Sequence, residues 1–130
     1  MKILLLKRTF RTGETIFREG EPGTEAYLIR RGYVSITKTD AGRTIELATR
    51  GPGEIIGEMA LLDEKPRSAT VAAKSEVEVE VITRGDLHKL LENAPEPLVT
   101  ILHQLLIRLR DTSDLAASLA AEKAEEENRP

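Results

Sequence analysis

The chain has 130 residues, 40% of them hydrophobic, and no cysteine. That length suffices for one domain with a single core, and the missing cysteines exclude disulfides and thiol chemistry and accord with a cytoplasmic protein. A net charge of −3 and an isoelectric point near 5.5 exclude a general nucleic-acid binder, which needs a basic surface.

The first apolar run, Ile3 to Leu6, is flanked by Lys2 and Lys7. It is too short for a signal-peptide core or a membrane span. Two roles stay open for it: capping a sheet or touching a partner. From Thr9 to Ile82 turn signals recur: Thr12-Gly13, Glu19-Gly20, Pro22-Gly23, Arg31-Gly32, Asp40-Ala41-Gly42 and Gly51-Pro52-Gly53. Short apolar pieces lie between them, at Thr15–Phe17, Ala26–Arg30, Val34–Lys38 and Thr44–Ala48. Short strands spaced by turns predict an all-β sandwich or barrel. The four aromatics, Phe10, Phe17, Tyr27 and Tyr33, all fall early, so the core is expected to be mostly Ile, Leu, Val and Ala.

Residues 57–71 read GEMALLDEKPRSATV. A core segment disfavours Glu58 and Arg67, and a surface loop disfavours Met59, Ala60, Leu61 and Leu62. Gly57 follows a strand-like Ile55-Ile56 and permits close backbone approach. Glu58 to Leu62 favour one helical turn, whose free N–H groups suit an anion. Arg67 can add a bidentate bond to phosphate oxygens, and Ser68 adds a hydroxyl. Glu58 only accepts hydrogen bonds, so it suits sugar hydroxyls and repels phosphate. The combination calls for a ligand with a hydroxyl at one point and an anionic phosphate at another.

Residues 76–82 read EVEVEVI, alternating for a strand with one buried and one solvated face. After Thr83 the period changes. Thr83 predicts a helix N-cap with Asp86 closing a capping-box-like pattern. A short helix to about Leu91 follows and stops near Asn93-Ala94-Pro95. A long helix then runs to the mid-120s, spanning roughly 40 Å at about 1.5 Å per residue. Leu98, Leu102, Leu105, Leu109, Thr112, Ala116 and Leu119 step by three and four, as in a coiled-coil seam. Val99, Ile101 and Leu106 form a second stripe. Length and two stripes favour a dimer made by this helix over a helix lying on its own domain. Glu122 to Pro130 is charged and predicted to fray.

The stretch at 57–71 resembles the phosphate-binding cassette of cyclic-nucleotide-binding domains, and GETIFREGEPGTEAYLIRRGYVSI at 13–36 extends the likeness. The resemblance implies a β-jelly-roll over about 7–82 followed by a short helix and a long dimerisation helix over 83–127, as one domain. It implies Glu58 as acceptor for a ribose 2′-hydroxyl, with Gly57, Met59 and Ala60 in the same ligand-binding turn. It implies Arg67 as partner of the cyclic phosphate, with Ser68 and Ala69 as further phosphate ligands. Ile36 and Leu47 fall where such domains line the base. The helix segment RLRDTSDLAASLA at 108–120 is similar to that of the bacterial cyclic-AMP receptor (catabolite activator) family, which places Thr112 and Ser113 at the adenine amino group. A polar seam residue fixing helix register is an alternative role for Thr112, compatible with the first. Ser68 after the arginine resembles cassettes that prefer cyclic AMP; cyclic GMP is the lesser candidate.

The implied function is a cyclic-nucleotide sensor acting as a homodimer through an unidentified effector, with no cofactor, no direct DNA binding and no membrane. Unlike the activator family, the chain stops before a helix-turn-helix, and its tail from Ala121 to Pro130 is acidic. An enzyme is disfavoured: His88 and His103 lie on separate predicted helices, so neither a metal centre nor a catalytic base is expected. A module that keeps the fold, has lost its ligand and serves only dimerisation remains the alternative.

Overall fold

The computed structural model describes residues 4–127, with side-chain surroundings described for residues 4–112. In chain order the strands are β1 (Leu6–Phe10), β2 (Thr15–Phe17), β3 (Glu25–Arg31), β4 (Val34–Asp40), β5 (Arg43–Arg50), β6 (Ile55–Ile56), β7 (Thr70–Ala73) and β8 (Val77–Thr83). A single 3-10 turn, Glu58–Leu61, lies between β6 and β7, and α1 (Arg84–Leu91) and α2 (Glu96–Glu127) follow β8. The strands form two antiparallel sheets, ordered β1-β8-β3-β6 and β2-β7-β4-β5. This is the all-β arrangement that the turn spacing predicted, in the mainly β, jelly-roll-like form followed by helices that the resemblance implied.

The alternation in EVEVEVI sets the central strand of the first sheet. Val77, Val79 and Val81 are buried while the glutamates between them are partly exposed. Each such burial stabilises by roughly 1.5–3 kcal/mol. From the same sheet Tyr27, Ile29 and Ile56 join them, and Phe17, Val34, Val71 and Ala73 close the core from the other sheet. The expected aliphatic core is met by valine, isoleucine and alanine. No leucine belongs to the buried cluster among the described residues, whereas two aromatics, Phe17 and Tyr27, do. The physical reason is that β-branched and aromatic side chains suit a pleated, buried surface, and the leucines lie mostly on the helices and the cassette. Leu6 is the first residue of β1, paired with Val81, so the initial apolar run ends in a sheet edge.

The helical signals at Thr83 hold in detail. The Thr83 hydroxyl accepts from the Asp86 amide at 3.0 Å, and the Asp86 carboxylate accepts from the Thr83 amide at 2.9 Å. These bonds satisfy two orphan donors at the start of α1. The 32 residues of α2 correspond to about 48 Å. Its helical backbone extends to Glu127, through part of the segment predicted to fray, because Ala, Glu and Lys are good helix formers.

The chain divides into two compact units, Met1–Glu92 and Asn93–Pro130, and the division falls at the Asn93-Ala94-Pro95 break. On α2 Leu98, Ile101, Leu105, Ile107 and Leu109 are exposed. No helix among the described residues is long and apolar enough to cross a membrane.

Candidate ligand-binding site

Arg67 is the polar residue that the core takes in. It is only 8% exposed, which is unusual for a guanidinium. Its backbone is held on both sides by the turn at 20–21: the Arg67 amide donates to the Glu21 carbonyl and the Gly20 amide donates to the Arg67 carbonyl, both at 2.8 Å. Its side chain reaches two aromatic rings, Phe17 on β2 and Tyr27 on β3, one from each sheet. The guanidinium carbon lies 4.1 Å from the centroid of Phe17 and 5.9 Å from that of Tyr27. The two rings stack with centroids 6.0 Å apart. Attraction of a cation to a ring face grows when both are desolvated.

The guanidinium donates to the Glu25 carbonyl at 2.8 Å and, at 3.4 Å, to the Gly57 carbonyl. Its Nε is buried with no hydrogen-bond partner. Burial pushes the Arg67 pKa down from the ordinary guanidinium value, against the pull of Tyr27, Glu25 and Glu21. The same burial, with Glu25 nearby, pushes the Tyr27 phenol up, so it stays neutral at physiological pH. A buried cation held by carbonyls and ring faces, with no directly bonded carboxylate, is stabilised by an incoming anion.

Gly57 supplies both room and conformation. Its φ is +70°, a left-handed value, and a Cβ there would lie 2.6 Å from Arg67 Nη1 and 3.1 Å from the Phe17 ring. It caps the 3-10 turn that carries Glu58, Met59 and the buried Ala60. Glu58 is half-buried, and its carboxylate has no hydrogen-bond or ion-pair partner among the described residues. It makes no ion pair with Arg67, so the two charges have not neutralised each other. Ser68 is exposed and Ala69 is buried. The first unit thus brings Gly57 and Arg67 into contact, with Glu58 beside Gly57 and with Ser68 and Ala69 following Arg67.

Ile36, on β4, is half-buried against the core and pairs with Val71 and Ala48. Leu47 sits at a bulge: Ile36 faces Ala48 while Thr37 faces Glu46, which leaves Leu47 unpaired. It is 57% exposed. A bulge re-aims a side chain out of the regular ladder. On α2, Thr112 is exposed and its hydroxyl donates to the Arg108 carbonyl at 2.9 Å, so it finds its partner within the helix. The side chain of Ser113 lies outside the described residues. His88 and His103 are both exposed, and among the described residues no group of His, Asp and Glu is placed to hold a metal.

Sequence reasoning missed the surroundings of Arg67: the faces of Phe17 and Tyr27, and the carbonyls of Glu21 and Glu25. The early clustering of the aromatics was the available signal. It also missed Arg84, whose guanidinium reaches the carbonyls of Ala60 and Asp63. An open groove lined by Thr15, Arg18, Glu19, Gly20, Thr39 and Thr70 contains none of the predicted ligand residues.

The profile of the family "Cyclic nucleotide-binding domain" matches residues 7–94. The chain is 36% identical over 114 residues to the cyclic AMP receptor protein of Thermus thermophilus, covering 87% of this chain and 52% of that protein. The crystal structure of the Thermus thermophilus catabolite activator protein superposes with a TM-score of 0.73 at 36% identity, over 90% of this chain and 55% of that one. The EAL enzyme Bd1971, in a half-site-occupied form, superposes with a TM-score of 0.76 at 34% identity, over 85% of this chain and 99% of that one. The chain spans about half the length of the curated relatives it matches.

Proposed function

The chain belongs to the cyclic-nucleotide-binding domain family, and from that premise we propose that it is a cytoplasmic cyclic-AMP sensor that dimerises through α2 and acts on an effector protein or domain. The observation that carries this reading is Arg67. A guanidinium buried without a carboxylate partner, with Nε unsatisfied, suits an anion better than it suits an empty core. In this reading the cyclic phosphate takes Arg67, Ser68 and the Ala69 amide, and Glu58 accepts the ribose 2′-hydroxyl. Ile36 and Leu47 give the base apolar surface. Thr112 and Ser113 read the adenine amino group, and Ser68 favours cyclic AMP over cyclic GMP.

The role is binding and signalling, without catalysis. Ligand shifts a conformational equilibrium only through its different affinity for the two states, and the Asn93-Ala94-Pro95 segment is the proposed hinge. The test is calorimetric titration of nucleotide-stripped, folded chain with cyclic AMP and then cyclic GMP. Binding of cyclic AMP with a clear preference supports the sensor. In the Thr112→Ala variant the affinity for cyclic AMP falls more than that for cyclic GMP. Absence of binding to either nucleotide by folded wild-type chain leaves a fold that serves dimerisation alone.

A further inference from the structure

Arg84 opens α1, one residue after its N-cap. A cation there is disfavoured, because the helix dipole places its positive end at the same point. A local choice that opposes local physics points to a tertiary purpose. The Arg84 Nε–H donates to the Ala60 carbonyl at 2.9 Å, and Nη2 donates to the Asp63 carbonyl. The Ala60 carbonyl belongs to the 3-10 turn that carries Glu58, and Asp63 follows that turn by two residues. A third contact, Nη1 to Glu64 at 3.4 Å, joins a carboxylate that is 89% exposed, so it adds little. The carbonyl bonds carry the clamp.

The other end of the clamp is equally fixed. The Thr83–Asp86 capping box sets the start of α1, and Thr83 closes β8, whose valines are core. On the turn side, the Leu62 and Asp63 amides donate to the Met59 carbonyl, one residue after Glu58. We propose that Arg84 is a positioning residue that locks the Glu58 turn to the first turn of α1, so that the ligand site and this helix move together. The identity of the ligand rests on the cyclic-nucleotide reading; the clamp itself does not. Ligand engagement at Glu58 and Arg67 is thereby transmitted to α1 through two backbone carbonyls and one guanidinium.

Amide hydrogen exchange of the full nucleotide-free chain tests the clamp without ligand. In Arg84→Ala, exchange at Leu62 and Asp63 accelerates about tenfold, the scale of losing a charge-assisted hydrogen bond that holds a local unit closed. Exchange at Val79 and Val81 is unchanged, and Arg84→Lys restores part of the protection. In the same variant the dissociation constant for cyclic AMP rises about fivefold or more, again with partial recovery in Arg84→Lys. Unchanged exchange at Leu62 and Asp63 would overturn the proposal. So would equal acceleration in β8, which would assign Arg84 to global stability, and so would faster exchange with unaltered affinity. If wild-type chain binds no cyclic nucleotide, the functional reading fails while the exchange result still decides the clamp.

Discussion

Replacing Arg67 by Ala removes the one buried cation of the site. Against ligand, it deletes a charged donor to phosphate, which contributes about 1.5–3 kcal/mol. At 1.4 kcal/mol per factor of ten, the dissociation constant rises roughly 10- to 150-fold. Without ligand the effects offset one another. The variant loses the bond to the Glu25 carbonyl and the stack on Phe17, but it is also relieved of a desolvated charge. The unliganded melting temperature therefore moves little. The contrast appears on adding cyclic AMP. At 100 times the wild-type dissociation constant, ligand stabilises wild type by about 2.7 kcal/mol. A variant binding 100-fold more weakly gains only about 0.4 kcal/mol under the same conditions. Calorimetry gives the affinity, and thermal unfolding with and without nucleotide gives the linkage. A folded Arg67→Ala chain with wild-type affinity and full ligand-induced stabilisation would refute the phosphate role of this residue.

Glu58→Gln weakens cyclic AMP about tenfold or more, as a charged acceptor is lost. The 2′-deoxy analogue loses affinity for wild type but little further for the variant, and additive losses would remove the ribose role. Leu105→Glu places a charge on an exposed apolar position of α2 and converts a dimer to monomer in light scattering after size exclusion; an unchanged mass would place any dimer contact elsewhere. Asp86 titrates below its ordinary value of 3.8, because its carboxylate accepts from the Thr83 amide and bonds the Thr83 hydroxyl. Its folded-state pKa is depressed, so its contribution is complete above the unfolded value of about 3.9 and is lost as pH falls through the folded value. A carboxyl midpoint at or above 3.8 in an NMR titration would contradict the capping box.

Much of this protein was legible in one dimension. The alternation of Val77, Val79 and Val81 marks a buried strand face, since strand side chains have a period of two. Thr83 and Asp86 define a helix start because a capping box is local, closed over four residues. The cassette from Gly57 to Val71 is also local, and its glycine, carboxylate and guanidinium announce their chemistry by residue type. What the sequence left undecided depends on contacts between distant segments. Arg67 meets the carbonyls of Glu21 and Glu25 and the rings of Phe17 and Tyr27 only because the segment before β7 folds against β2, the turn after it and β3. Nothing within a few residues of Arg67 says that its guanidinium turns inward with Nε unpaired. Arg84 reads in sequence as a misplaced charge at a helix start, and only the approach of the 60–63 carbonyls gives it a purpose. The bulge that frees Leu47 likewise needs its pairing with β4 to exist. Residue type and local period set the chemistry available to the chain; the packing of segments far apart in sequence decided which of those groups meet.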